Sequence, residues 1–206
     1  ADPKVTSEIL QLIGDRPVWV AASTHPGEEE IIGDVHRLLR EKFPRILTLI
    51  VPRHNIRGNE IAAQLMAKKL HVAQRSKQEN IGDDMDIYLA DTMGELGIFY
   101  RTAEIVFIGG SLVPHGGQNP FEPARLDCAI LYGPHMGNFT EFCVELEAVG
   151  GAAKVKDAND LAHQVETLLR DHEKQDAMAN AALEVVRGKQ DVLDNVLKKI
   201  AAYMPE

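Results

Sequence analysis

The reading of the fold turns on residues 106–139, VFIGGSLVPHGGQNPFEPARLDCAILYGPHMGNF. Together with Ile105, its first apolar run predicts a buried strand over Ile105–Ile108, and a Gly109-Gly110-Ser111 turn follows. A loop holding His115-Gly116-Gly117 leads to a helix opening at Asn119. A second apolar run, Ala129–Tyr132, ends at Gly133. Glycine has no Cβ, so such loops can bring backbone N–H groups close to a ligand. A helix N-terminus beside them favours bound negative charge. The stretch predicts strand–loop–helix–strand units with a cradle for a phosphate and its sugar at Gly109, Gly110 and Ser111.

The same alternation continues outward on both sides. Val18–Ala22, Ile46–Val51, Ile87–Ala90 and Ala152–Val155 are further strand candidates. Helical spacing covers Gly27–Phe43 (Ile31, Ile32, Val35, Leu38, Leu39), about Asn59–Leu70, Met93–Thr102, Asn138–Ala148 and Asp157–Arg170. The strand runs are continuous in apolar character, and they alternate with helices. Together they predict an α/β fold, a Rossmann-like doubly wound parallel sheet covered on both faces. Past residue 172 the pattern is helical only. Its stripe, Val192, Leu193, Val196, Leu197, Ile200, Tyr203 and Met204, needs a surface to pack on. The expected division is a domain over 1–172 and C-terminal helices over 173–206 that pack partly on it, with Ile200 to Met204 left as an exposed or crystal-paired patch. The abrupt opening, ADPKVTSEIL, reads as a domain cut from something larger.

The net charge of −9 over 206 residues argues against a general nucleic-acid binder and against docking of this segment on anionic lipid. Cys128 and Cys143 have no metal-type spacing and read as buried free thiols. No run is long or apolar enough to span a membrane, and no signal peptide is visible. An anionic ligand would need local positive charge, for which Arg53, His54, Arg57 and His115 are the candidates.

In an open parallel sheet, ligands bind at the carboxyl ends of the strands. The loops there are Ser23–Gly27, Pro52-Arg53-His54, Asp91–Glu95, Gly109-Gly110-Ser111 and Gly133-Pro134-His135, all rich in Gly, Pro, His, Ser or Thr. Arg53 could be an ordinary surface arginine, but its place suits bidentate contact with a phosphate. Asn119-Pro120-Phe121-Glu122 fits a capping box as well as a ligand contact, and the two readings coexist. Thr92-Met93-Gly94-Glu95 has the same form, with Gly94 unexplained by capping. Glu28, Glu29 and Glu30 read as a favourable first helical turn that would repel a phosphate. Asp84-Met85-Asp86 resembles an Asp-x-Asp metal motif but precedes its strand, so it reads as a solvated acidic loop. Neither G-x-G-x-x-G after the first strand nor a P-loop is present.

The combination STHPGEEE (23–30), VPRH (51–54), DTMGEL (91–96), GGSLVPHGGQNPFEPA (109–124) and GPHMGNF (133–139) resembles the bacterial Kdo transferases. These attach 3-deoxy-D-manno-octulosonic acid (Kdo) to a lipid A precursor, with CMP-Kdo as donor. The resemblance runs from Val18 through the last helix. It implies a GT-B glycosyltransferase of two domains, of which this chain is the C-terminal, donor-binding half. The lipid acceptor and the catalytic base then belong to an absent N-terminal domain, and no catalytic residue is expected here.

Carried over by position, the CMP contacts fall on Pro52, Arg53, Met93, Gly94, Glu95, Asn119, Pro120, Phe121 and Glu122. The resemblance gives the cytosine to the Met93 loop, the phosphate to Arg53 with Gly109, Gly110 and Ser111, and the ribose to Glu122. Ser23, Thr24, His25 and His54 are candidate donor-side contacts. The resemblance further implies no metal and no cofactor: CMP-Kdo is substrate and CMP product. It implies work at the cytoplasmic face of the bacterial inner membrane, without insertion by this segment. Asn55 stands where a proline is usual, and Gln118 replaces a common histidine. Two other readings are a stand-alone nucleotide-binding regulatory module and a fragment of a GT-B-fold UDP-sugar epimerase.

Overall fold

The structure is a computed structural model that describes the backbone of residues 2–201 and the side chains of residues 2–189. Helix α1 (Pro3–Ile13) precedes strand β1 (Val18–Thr24). Then follow α2 (Glu28–Arg40), β2 (Leu47–Pro52), α3 (Gly58–Ala67), β3 (Val72–Gln74), β4 (Ile87–Leu89) and α4 (Leu96–Thr102). The second half runs β5 (Ile105–Ile108), α5 (Phe121–Arg125), β6 (Ala129–Tyr132), α6 (Thr140–Ala148), β7 (Ala152–Lys154), α7 (Ala158–Arg170) and α8 (His172–Ala201).

All seven strands form one parallel sheet in the order β3-β4-β2-β1-β5-β6-β7. Every residue of β2, β5 and β6 is buried, as continuous apolar runs require when both faces are covered. Alternate side chains feed two cores. Val20, Leu49, Val106, Ile108 and Ile130 meet Ile9, Phe99, Leu146, Ala182 and Val186 on one face. Trp19, Ala21, Ile50, Phe107 and Leu131 meet Ile32, Leu39, Ile61, Leu65, Val165 and Leu168 on the other. Helix α8 therefore lies on the sheet through Ala182 and Val186. The stripe from Val192 to Met204 lies outside the described side chains.

The doubly wound parallel sheet matches the expectation. Several local features differ from it. Helix α1 was not foreseen; Asp2 accepts from the Lys4 N–H at 2.9 Å to cap it, and Ile9 and Ile13 anchor it. Strand β3 is only three residues long, too short to leave a sequence pattern. Asp86 is no solvated acidic residue. It is buried and accepts from His36 Nε2 (3.1 Å), Arg40 Nη1 (3.0 Å) and the His71 N–H (2.9 Å), which holds its carboxyl below the usual range.

The strand order reverses about β1, with β2 on one side and β5 on the other. This topological switch point brings the loop after β1 against the loop after β5 at the carboxyl edge of the sheet.

Candidate functional site

The switch-point loops touch through backbone. A Cβ on Gly109 would lie 2.4 Å from the Ser23 carbonyl oxygen, and one on Gly133 2.3 Å from the Ser111 carbonyl oxygen. These glycines let neighbouring loops approach each other, which is a packing need and not a ligand's. Ser111 is buried; its hydroxyl donates to the Ile108 carbonyl and accepts from the Gly133 N–H at 2.8 Å.

The amides expected to cradle a phosphate already hold an anion of this chain. The Glu28 carboxylate, 0 % exposed, accepts four N–H groups. They come from His25 (3.2 Å), Gly110 (2.6 Å), Ser111 (3.0 Å) and Leu112 (3.0 Å). Burial pushes this carboxyl above its usual range, and the amide bonds oppose that rise. The expectation of a phosphate loop at Gly109, Gly110 and Ser111 is therefore corrected. Gly110 and Ser111 face Glu28, and the Gly109 N–H donates to the Ala22 carbonyl at 2.7 Å. The glutamate run is likewise not a simple solvated first turn, since Glu28 and Glu29 are both fully buried.

Glu29 removes two further candidates. Arg57 donates to it at 2.8 Å and Thr24 Oγ1 at 3.0 Å. Arg57 is thus a structural counter-ion for a buried carboxylate. Thr24, 0 % exposed, faces Glu29 rather than a donor.

Arg53 remains. It is exposed and forms no ion pair among the described residues. With Ser23, Pro52, His54, Asn55, Thr92, Met93, Gly94 and Leu96 it lines a cleft of about 270 Å³. Behind this cleft stands a histidine cluster. The His25 ring lies 3.6 Å from that of His115 and 6.1 Å from that of His54, edge to face in both cases. His25 is buried, and its Nε2 accepts from Gln118 Nε2 at 2.9 Å. Burial first, then His115, His54 and Arg53, depresses its pKa to about 4, so it is neutral at pH 7. The exposed rings of His54 and His115 flank it, and Arg53 brings a guanidinium to this edge of an acidic chain.

The far wall of the cleft is the Met93 loop. Met93 is 80 % exposed and Gly94 has φ +77°. Glu95 does not face the cleft as a free acceptor: Arg75 donates to both its oxygens, at 2.6 and 2.5 Å, and Thr92 Oγ1 bonds the same carboxylate. Helix α4 begins only after Glu95, so the Thr92–Glu95 contact closes a loop rather than capping a helix.

The remaining candidates lie elsewhere on the same edge. Asn119 and Phe121 border a second hollow of about 630 Å³ with Phe139, Phe142 and Lys189. Pro120 is buried beside them. Asn119 Oδ1 accepts the Phe121 N–H at 2.9 Å, but Glu122 forms no return bond among the described residues. Helix α5 opens at Phe121 with Pro120 at its N-cap, so the expected Asn119–Glu122 capping box does not form, and the exposed Glu122 carboxylate is left for other use. Glu122 borders a third hollow with Gly97 and Arg101. Leu96 lines the Arg53 cleft, and its neighbour on α4, Gly97, lines that hollow.

Sequence reasoning missed Glu28, Arg75 and the His25–His115 contact. Their partners lie far away in sequence, and no local pattern marks them. Among the described residues, no group of three His, Cys, Asp or Glu side chains could hold a metal ion. Cys128 and Cys143 are buried thiols, with pKa values pushed up by burial to about 12 and about 11.

No family model matches the chain. It is 40 % identical over 191 residues to a 3-deoxy-D-manno-octulosonic acid transferase of Haemophilus influenzae. That match takes in 92 % of this chain and 45 % of the relative, so the chain spans about half the relative's length. The C-terminal CMP-Kdo binding domain of WaaA from Acinetobacter baumannii superposes with a TM-score of 0.84 at 28 % identity. There the match covers 89 % of this chain and 96 % of that domain. A UDP-N-acetylglucosamine 2-epimerase-like structure from Listeria monocytogenes matches at TM-score 0.56 and 16 % identity, over 86 % of this chain and 45 % of that one. It shares the fold alone. By sequence over most of its length and by fold, the chain belongs to the 3-deoxy-D-manno-octulosonic acid transferase family, as the C-terminal half of its GT-B architecture.

Proposed function

We propose that this chain is the donor-nucleotide half of a glycosyltransferase that moves Kdo from CMP-Kdo to a lipid A precursor. The observation that carries this reading is the match to a CMP-Kdo binding domain over nearly that domain's whole length. The cleft at the switch point supports it, because Arg53, His54, Met93 and Gly94 meet there. In this reading the cytosine rests against Met93 and Gly94, and the phosphate meets Arg53. The ribose lies toward Glu122, past Gly97.

As the bond to CMP breaks, charge grows on the leaving phosphate. The Arg53 guanidinium, with His54 beside it in the cleft, stabilises that charge more in the transition state than in the bound donor. The Gly110–Leu112 amides act indirectly, since Glu28 occupies them. No metal or cofactor enters this reading. The base that activates the acceptor and the lipid site are assigned to the part of the enzyme that this chain does not span. The site of action would be the cytoplasmic face of the inner membrane. No described helix is long and apolar enough to cross a membrane.

Calorimetric titration of the chain with CMP and UMP tests the proposal. CMP should bind more tightly than UMP, and Arg53→Ala should weaken CMP by roughly 1.5–3 kcal/mol, the range for a charged hydrogen bond. Equal affinity for the two nucleotides, unaffected by Arg53→Ala, would refute it.

A further inference from the structure

The Asp91–Glu95 loop is tied at both ends to residues 74–76, the end of β3 and the turn after it. At one end, the buried Asp91 accepts from Gln74 Nε2 (2.6 Å), the Ser76 N–H (2.9 Å) and Ser76 Oγ (2.7 Å). At the other end, the Arg75 guanidinium forks onto both oxygens of Glu95 at 2.6 and 2.5 Å. Its Nη1 donates to Tyr88 Oη at 3.1 Å, and its Cζ lies 5.9 Å from the centre of the Phe99 ring. The Arg75 hydrogen bonds hold the Glu95 carboxyl below its usual range, and the same bonds raise the pKa of Arg75. Between the two ties, the loop holds a bulky thioether in water. Met93 is 80 % exposed on the cleft wall, beside a glycine at φ +77°. A loop so firmly bound that displays an unburied apolar side chain has the form of a preorganised platform.

We propose that the Arg75–Glu95 pair is a positioning device for the base of the nucleotide: it fixes the Met93–Gly94 platform without touching the ligand. This rests on the nucleotide reading above and changes the role of Glu95, whose carboxylate serves the ligand through Arg75. The physical basis is the planar bidentate fork. Lysine, a point charge on a flexible stem, cannot reproduce its directional grip. Losing the fork frees the loop, and the ligand must then order it on binding.

The test compares wild type, Arg75→Gln, Glu95→Gln and the double variant in two arms. In the first, CMP and ribose 5-phosphate are titrated separately. Each single variant should weaken CMP roughly 10-fold, the effect of one charge-assisted contact. The double variant should be no weaker than the singles. Ribose 5-phosphate, which lacks the base, should change less than 2-fold by the same reasoning. Equal loss for both ligands would show a general structural role and overturn the proposal, as would additive singles or an unchanged CMP affinity. In the second arm, amide exchange is followed without ligand. Exchange over residues 92–96 should speed up in Arg75→Gln, while that of Gly110–Leu112 stays as in wild type. Unchanged exchange over residues 92–96 overturns the platform. If wild type does not bind CMP, the nucleotide reading falls, and this second arm still decides the pair's role.

Discussion

Replacing Glu28 by Gln should destabilise the fold, and the size of the loss follows from the geometry. In wild type, Oε1 accepts from Ser111 and Leu112, and Oε2 from Gly110 and His25. A glutamine amide keeps one oxygen and turns an NH₂ group toward two N–H donors. Two hydrogen bonds are lost with their donors still buried, at about 1–3 kcal/mol each. Relief of the buried negative charge returns part of this, since burial already raises the Glu28 pKa. The expected net loss is about 2–3 kcal/mol, or a fall in Tm of roughly 4–12 °C for a domain of this size. Thermal denaturation measures the loss, and amide exchange at Gly110, Ser111 and Leu112 locates it. Glu28→Ala goes further by emptying the nest, so inorganic phosphate should stabilise that variant more than it stabilises wild type. A Glu28→Gln protein with wild-type Tm and wild-type exchange at those amides would refute the reasoning.

Gly109→Ala should cost on the order of 2–4 kcal/mol or prevent folding, because the new Cβ would meet the Ser23 carbonyl oxygen at 2.4 Å; a near-native Tm would show that the β1 and β5 loops are less tightly apposed. His25 should make stability pH-dependent. Its folded pKa of about 4 lies below the ordinary 6.5, so the unfolded chain takes up the proton first. The contribution is therefore whole above 6.5 and is lost as pH falls toward 4. The loss should be about 1–2 kcal/mol relative to His25→Gln, discounted for the solvent reaching the cluster beside His115. Parallel stability profiles of the two proteins between pH 6.5 and 4 would contradict this.

The sheet was legible because its strands are buried on both faces. Runs such as Ile105–Ile108 and Ala129–Leu131 carry no polar residue, as strands of a covered parallel sheet do. The short edge strand Val72–Gln74 was not legible, since three residues cannot show a period. The site was legible as a set of loops, and the structure brings Pro52, Arg53, His54, Met93 and Gly94 to one cleft. What sequence could not show was which polar groups the chain satisfies for itself. Glu28 finds three of its four amides 82 to 84 residues away, and the acidic run looks the same whether it faces water or a backbone nest. Arg75 and Glu95 are 20 residues apart on different elements, so neither marks the other. Glycines 109 and 133 read as ligand-facing because glycine signals close approach without saying what approaches.

The central claim is that CMP binds at the Arg53–Met93 cleft while Glu28 keeps the glycine-loop amides. A crystal structure of the chain grown with CMP tests it most directly. The account predicts the phosphate against Arg53, the cytosine on the Met93–Gly94 wall, and the Glu28 carboxylate still accepting from Gly110, Ser111 and Leu112. A phosphate seated on those amides with Glu28 displaced, or CMP bound away from Arg53, would contradict it.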